Sequence, residues 1–173
     1  RGPMKIQQLS TKETEEDGNP KQEPQHFETV IIGTGFSGLL AAIGLQKKNF
    51  NDFVLLERSA NIGGTWRDNS YPGAEVDVPT GLYSISFIPY PFRKKYAPQS
   101  ELLEYTNYII EKFGINKHAR TNQTVTRLTY DDSTCLWDVE TASGERYNAR
   151  FVIDTSGVLA NPHLPDIKGA ESF

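Results

Sequence analysis

VIIGTGFSG, residues 30–38, is the stretch that decides the fold of this chain. A short apolar run followed by glycines predicts a strand buried on both faces, then a tight turn, then a helix. The G-x-G-x-x-G spacing of Gly33, Gly35 and Gly38 suits the turn, close approach of backbone to a diphosphate, and close packing of helix on strand. The helix N-terminus adds N–H groups and partial positive charge. The segment therefore predicts a dinucleotide-binding βαβ unit.

An acidic residue and a second glycine turn follow this unit. Glu57 ends the second predicted strand at the spacing of about twenty residues at which an acid accepts hydrogen bonds from an adenosine ribose. GGTW at residues 63–66 then lets the backbone approach a bulky group, while Thr65 offers a hydroxyl and Trp66 a flat face with one N–H donor. These groups suit an isoalloxazine and its ribityl chain, and they favour FAD over NAD. An ordinary loop with a tryptophan in the core is the alternative.

A third block, YPGAEVDVP at residues 71–79, completes an ordered series of motifs with Tyr83 and the Ser-Phe pair at 86–87. This series resembles the class B flavoprotein monooxygenases, most closely the Baeyer–Villiger monooxygenases, with the flavin-containing monooxygenases as neighbours. The resemblance covers nearly everything from Phe27 to Phe173. Phe173 resembles the first residue of the family's F-x-G-x-x-x-H-x-x-x-W fingerprint.

Two positions depart from the family's pattern. Ser70 stands where the family usually has arginine or another large polar residue, and Val76 stands where it often has cysteine. These departures leave the substrate class open. A flavin-containing monooxygenase that oxygenates nitrogen or sulfur and a hydrocarbon hydroxylase are the alternatives of the same class. A non-catalytic dinucleotide-binding module is the alternative from another class, whereas the GGTW and YPGA segments disfavour a plain NAD dehydrogenase.

The resemblance implies an enzyme that uses FAD, NADPH and O2 to insert one oxygen atom into a ketone or related organic substrate through a peroxyflavin. It also implies that Asp77 lies beside the flavin and orients an arginine that stabilises a negative peroxide, so Asp77 is the predicted catalytic residue. Support of a loop turn is its alternative role. By the same resemblance, the glycines would face the diphosphate and Glu57 would face the ribose. The backbone of Val125 would meet the adenine. The predicted FAD contacts are Gly33, Gly35, Phe36, Ser37, Gly38, Glu57, Arg58, Gly64, Thr65, Trp66, Asp77, Tyr83 and Val125.

Composition narrows the class of protein. A length of 173 residues suits one domain and is too short for two dinucleotide-binding domains. The net charge of -4 means that the chain has no excess of positive charge that would attract nucleic acid. Cys135 is the single cysteine, which excludes an internal disulfide and a CxxC motif within this chain. The three histidines lack metal-ligand spacing, and no apolar stretch suits a membrane span, so we expect no metal and a cytoplasmic location.

The ends of the chain differ in composition from its middle. Arg1-Gly2-Pro3 before Met4 is typical of a cloning remnant, and residues 1–26 predict a disordered polar tail. Residues 27–173 are interpreted as the N-terminal part of an FAD-binding domain. On this interpretation the NADPH site lies mostly outside the chain, and the fragment alone is inactive. The oligomeric state is left open.

Periodicity predicts the remaining elements. Ser100 is expected to cap a helix that ends near Phe113. Residues 115–125 are expected to form a parallel strand. Three further strands, at residues 124–130, 136–141 and 145–154, predict an antiparallel meander whose last strand re-enters the parallel sheet. The predicted fold is therefore α/β: a three-layer Rossmann-like FAD-binding domain plus a β-meander, incomplete for a flavoprotein with two dinucleotide-binding domains. Proline-rich residues 89–98 predict a surface loop, with contact of Arg93, Lys94 and Lys95 to a cofactor phosphate as the alternative.

Overall fold

The computed structural model of the protein describes residues 23–158 and 165–172. The strands are β1 (Gln25–Ile32), β2 (Phe53–Leu56), β3 (Ala119–Arg120), β4 (Val125–Asp131), β5 (Leu136–Thr141) and β6 (Arg146–Asp154). The α-helices are α1 (Phe36–Lys47), α2 (Thr65–Asp68), α3 (Thr80–Tyr83) and α4 (Gln99–Lys112). Two 3-10 helices span Ile115–His118 and Ala170–Ser172. No helix in these ranges is long and apolar enough to cross a membrane.

All six strands belong to one sheet, in the order β3-β2-β1-β6-β5-β4. The first four run parallel, with β1 between β2 and β6, while β5 and β4 continue the sheet in antiparallel pairs. The four residues of β2 are all buried, as expected for a parallel strand covered on both faces. The predicted fold class is confirmed. The meander joins the parallel sheet through β6, as its apolar carboxyl end predicted.

The two faces of the sheet contribute to different apolar clusters. One face packs Ile31, Phe53 and Leu55 against apolar side chains of both α1 and α4. The opposite face packs Val30, Val54 and Leu56 against side chains of β5 and β6, namely Val139, Tyr147 and Ala149. No helix of the described ranges contributes to this second cluster, whose members all belong to strands of the sheet.

Three predicted boundaries are wrong, each for a local reason. Helix α4 begins at Gln99 with Pro98 in the cap position and no side-chain cap, so Ser100 lies inside its first turn. The strand predicted at 115–125 is reduced to Ala119–Arg120, because the preceding four residues form a 3-10 helix. Strand β1 begins at Gln25, inside the tail predicted to end at residue 26, because Gln25 pairs with Tyr147 of β6. The rest of that predicted tail, residues 1–22, lies outside the described residues.

Candidate functional site

A cleft of about 750 Å³ opens where the parallel strands end at their carboxyl termini. Such edges are where sheets of this class bind ligands. Five sequence-distant segments meet there, namely the turns after β1, β2 and β6, the segment that enters β4, and the end of α3 at Tyr83. The lining residues are Ile32, Gly33, Thr34, Gly35, Phe36, Ser37, Leu56, Glu57, Arg58, Gly63, Gly64, Thr65, Trp66, Asp68, Asn69, Tyr83, Gln123, Thr124, Val125, Thr155, Ser156 and Gly157.

The first glycine turn has no room for side chains at two of its glycines. A Cβ on Gly38 would lie 2.1 Å from the carbonyl oxygen of Gly33, and a Cβ on Gly33, whose φ is +97°, would lie 2.9 Å from that of Thr155. The Thr155 hydroxyl donates a hydrogen bond of 2.6 Å to the carbonyl of Ile32. The turn is therefore closed by its own helix on one side and by the end of β6 on the other.

The second glycine turn rests directly on the first. Gly64 has a φ of +61°, and a Cβ there would lie 2.5 Å from the Cα of Gly35. A Cβ on Gly35, in contrast, would meet only Gly64 Cα at 3.8 Å, which is an ordinary contact. Since Gly35 also lines the cleft, a side chain at Gly35 would take up ligand space rather than clash with protein. The sequence predicted both turns but not their contact.

Helix α1 presents an uncapped N-terminus beside these turns. Gly35 occupies the cap position without a side-chain cap, and the first turn contains no acidic residue. Leu39 is the first residue of the helix whose N–H donates to the Gly35 carbonyl, at 3.0 Å. The N–H groups before it have no acceptor within the helix, and they carry the positive end of its dipole. This end of α1 is therefore suited to an anion.

Glu57 borders the cleft with a carboxylate that is only 5% exposed. Its Oε2 accepts hydrogen bonds from the Thr34 backbone N–H at 3.1 Å and from the Thr34 hydroxyl. Its Oε1 accepts one from the Ser59 N–H at 2.9 Å. Because an ionised carboxylate offers about four acceptor positions, Oε1 retains the capacity for one more donor.

Aromatic side chains form one wall of the cleft. The Trp66 indole N–H donates a hydrogen bond of 2.9 Å to the Tyr83 hydroxyl, and the two rings meet edge to face with centroids 5.7 Å apart. Phe36 packs against Tyr83 at 5.6 Å and against the buried Tyr105 at 5.8 Å. Burial raises the pKa of the Tyr105 hydroxyl, which donates to the Ile88 carbonyl and accepts from the Ile85 N–H. The wall is thus held in place from behind by the core.

The end of β6 adds a polar turn to the opposite rim. Ser156 lines the cleft, and its backbone N–H donates to the Asp154 carboxylate at 2.9 Å. This hydrogen bond holds the pKa of Asp154 below its ordinary value, since it favours the charged form. The turn after β6, from Thr155 to Gly157, therefore contributes to the cleft.

Most of the predicted FAD contacts lie together in this cleft, and two do not line it. Gly38 packs against the first glycine turn, in the role predicted for it. Asp77, the predicted catalytic residue, is exposed in the loop before α3 and is absent from the lining. The lining residues that the sequence did not single out include Thr34, Asp68, Asn69, Gln123 and Thr124.

The basic loop predicted as an alternative phosphate contact lies elsewhere. The Arg93 guanidinium pairs with Glu104 of α4 at 2.9 Å, and its backbone N–H donates to the buried Glu101 carboxylate at 2.5 Å. These bonds attach the loop to α4, and none of Arg93, Lys94 and Lys95 lines the cleft. The Glu104 carboxylate raises the pKa of Arg93 through its hydrogen bond and its charge.

A second, smaller cavity of about 450 Å³ lies between α4 and the loop that precedes α2. Arg67 crosses it, donating to the Asn107 side chain at 2.8 Å and to the Ile62 carbonyl at 3.2 Å. None of the predicted site residues lines this cavity. The larger cleft, where the glycine turns and the α1 N-terminus meet, is therefore the candidate functional site.

Several known proteins are similar to this chain in sequence. A family model described as pyridine nucleotide-disulphide oxidoreductase matches residues 30–173. A Baeyer-Villiger monooxygenase of Streptomyces coelicolor is 40% identical over 154 residues, which are 88% of this chain and 30% of that relative. The chain thus spans about a third or less of the length of the curated relatives it matches.

Solved structures of monooxygenases are also similar to this chain. The structure of cyclohexanone monooxygenase from Rhodococcus sp. Phi1 bound to NADP+ matches with a TM-score of 0.80 and 33% identity, over 87% of this chain and 29% of that one. The structure of OTEMO in complex with FAD and NADP matches with a TM-score of 0.78 and 30% identity, over 88% of this chain and 29% of that one.

Proposed function

The chain belongs to the pyridine nucleotide-disulphide oxidoreductase family, and on that premise we propose that its cleft binds FAD. The observation that carries the proposal is the meeting of two glycine turns at the uncapped N-terminus of α1. This arrangement combines backbone exposed at Gly35 with unpaired N–H groups, which is what a diphosphate requires. The likeness to Baeyer–Villiger monooxygenases and to a structure that contains FAD and NADP supports the choice of FAD.

The residues around the cleft fit the separate parts of this cofactor. Gly33, Gly35 and the first turn of α1 with Phe36 and Ser37 would hold the diphosphate. The Glu57 Oε1, with its remaining acceptor capacity, would receive a ribose hydroxyl, and Val125 would meet the adenine through its backbone. Gly64, Thr65, Trp66 and Tyr83 would border the flavin end, and Arg58 lies beside Glu57 on the same rim.

We further propose that the full-length protein is a monooxygenase that takes electrons from NADPH and transfers one oxygen atom of O2 to a ketone or related small organic substrate. When bound, FAD supplies the redox chemistry and the activation of O2. The chain's own residues would bind it, orient it and exclude water on the side of Trp66 and Tyr83. The single cysteine, Cys135, is exposed and lies outside the cleft lining, which favours oxygenation over disulfide exchange. We also propose that the full-length protein is located in the cytoplasm.

Asp77 is proposed as a positioning residue for an arginine supplied from outside the described residues. Its exposed place in the loop before α3 leaves its carboxylate accessible to such a partner. We expect Asp77→Ala in the full-length enzyme to reduce product formation far more than FAD content. Equal loss of both would assign Asp77 to support of its loop.

The test of the proposed function uses the full-length protein. We expect it to purify yellow, with FAD as the chromophore released by heating, and to consume NADPH in the presence of cyclohexanone as a probe ketone. With ¹⁸O2 the product should carry one labelled oxygen atom, detected by mass spectrometry. Colourless protein that binds only ADP or NAD would indicate a non-catalytic binding module. FAD-containing protein that oxidises NADPH but forms no oxygenated product from ketones, amines or thioethers would overturn the monooxygenase assignment.

A further inference from the structure

Thr34 is the variable residue between the first two glycines of the motif, and its side chain contacts two other parts of the cleft. The side chain is fully buried, with 0% exposure. Its hydroxyl donates to Oε2 of Glu57 and accepts a hydrogen bond of 3.2 Å from the Gly63 backbone N–H. A single hydroxyl therefore links the first glycine turn, the acidic end of β2 and the second glycine turn.

The direction of each hydrogen bond is determined by the partners. The Gly63 N–H can only donate, so the Thr34 hydroxyl must accept from it. An ionised carboxylate can only accept, so the one hydroxyl proton is directed to Glu57 Oε2. With the Thr34 backbone N–H, Oε2 then has two donors, while Oε1 has one, from Ser59. The carboxylate is consequently held in one orientation, with its remaining acceptor capacity on Oε1.

We propose that Thr34 is a positioning residue that orients Glu57 for the adenosine ribose, with the Gly63 N–H fixing the direction of its hydroxyl proton. This inference rests on the proposed binding of FAD. Without the hydroxyl, the Gly63 N–H would be left unpaired at a buried position and Oε2 would lose one of its two donors. The carboxylate would then be held only by the backbone N–H groups of Thr34 and Ser59, and its orientation toward a ribose hydroxyl would be less tightly fixed.

The test compares three variants. Thr34→Val conserves the shape of the side chain and removes the hydroxyl, whereas Thr34→Ser keeps the hydroxyl. Thr106→Val is the matched control, because Thr106 is also fully buried and, among the described residues, its hydroxyl bonds within α4, to the Leu102 carbonyl at 2.7 Å. Affinity of the flavin-free protein is measured for FAD and for an FAD analogue whose adenosine lacks the 2′ and 3′ hydroxyls.

We expect Thr34→Val to weaken FAD binding about tenfold or more, since the carboxylate that receives the ribose hydroxyl loses a charge-assisted bond that fixes its orientation. The same variant should bind the dideoxy analogue within about threefold of the wild type, because that analogue makes no ribose bond to lose. Thr34→Ser and Thr106→Val should retain the wild-type preference for FAD over the analogue. A purely structural role of Thr34 would weaken both ligands equally, and this result would overturn the inference, as would unchanged binding of both.

A second measurement covers the case in which Thr34→Val does not fold. In the wild type, amide hydrogen exchange at Gly63 and Ser59 should be slow, and it should slow further with ADP but not with 2′,3′-dideoxy-ADP. Fast exchange at both amides, or equal slowing by the two nucleotides, would overturn the inference. Wild-type protein that binds neither FAD nor ADP would instead contradict the proposed function, so the two failures are distinguishable.

Discussion

The glycines of the cleft and those of the outer turns have similar backbones and different surroundings. Gly64, beside the cleft, has a φ of +61°, and Gly114, after α4, has a φ of +59°. A Cβ on Gly64 would lie 2.5 Å from the Cα of Gly35, whereas a Cβ on Gly114 would meet nothing within 4 Å. Gly114 is thus required by its backbone angle alone, and Gly64 by its angle together with the approach of another turn.

The same contrast exists within one helix. Gly38 and Gly44 both lie in α1, and neither has a positive φ. A Cβ on Gly38 would lie 2.1 Å from the Gly33 carbonyl oxygen, while one on Gly44 would meet nothing within 4 Å. At Gly38 and Gly64, glycine allows two backbone segments beside the cleft to come into contact. At Gly44 and Gly114, it makes no such contact.

The largest effect is expected for Gly64→Ala. The substitution combines a left-handed φ with a clash against backbone that cannot move aside, so we expect a loss of about 3 kcal/mol in the free energy of unfolding. Gly114→Ala is the matched control, with a loss of about 1 kcal/mol from the same φ without the clash. Urea unfolding with unchanged slope measures both. Equal losses in the two variants would contradict the contact between the two glycine turns.

Gly38→Ala is expected to have the next largest effect. Alanine favours a helix interior by about 1 kcal/mol over glycine, but the contact with the Gly33 carbonyl should outweigh this gain and leave a net loss of about 2 kcal/mol. Gly44→Ala should instead stabilise the protein by up to about 1 kcal/mol, because its site is open. Thermal unfolding of both variants provides the measurement. A stabilised Gly38→Ala protein would show that α1 can move away from the turn.

Gly35→Ala should separate binding from stability. Its φ of -70° suits any residue, and its Cβ would make only an ordinary contact. We therefore expect a change in unfolding free energy below about 0.5 kcal/mol and a loss of FAD affinity of about tenfold or more, because the methyl group takes up space beside the diphosphate. Titration of the flavin-free protein with FAD checks the affinity. Wild-type affinity would indicate that the diphosphate does not lie against Gly35.

Much of the fold could be predicted from local patterns. The span of β5 matches its prediction, β4 is shifted by one residue at both ends, and β6 differs by one residue at its start, since turn residues mark the hairpins clearly. The predicted helix start at Ser100 failed because the helix begins one residue earlier, at Gln99, after Pro98 in the cap position. The strand predicted at 115–125 failed because a short edge strand has little pattern of its own. The resemblance to Baeyer–Villiger monooxygenases is confirmed by the relatives and solved structures.

The candidate site was predictable as a set of segments but not as a set of contacts. Glycines, Glu57 and Trp66 were identified because each has a distinctive chemical type at a motif position. Thr34 was not, since the motif accepts many residues at that position. Asp77 remains a prediction, because its proposed partner lies outside the described residues.

The sequence by itself determined the two long helices, most of the strands, their order and the chemistry of the turns, because side-chain periodicity and glycine spacing act over a few neighbouring residues. Only the tertiary structure decided which atoms meet in the cleft. Thr34 and Glu57 are 23 residues apart in the chain, and Thr34 and Gly63 are 29 apart. Hydrogen bonds over such separations depend on how parallel strands align their ends, and strand alignment is a property of the assembled sheet rather than of any one segment.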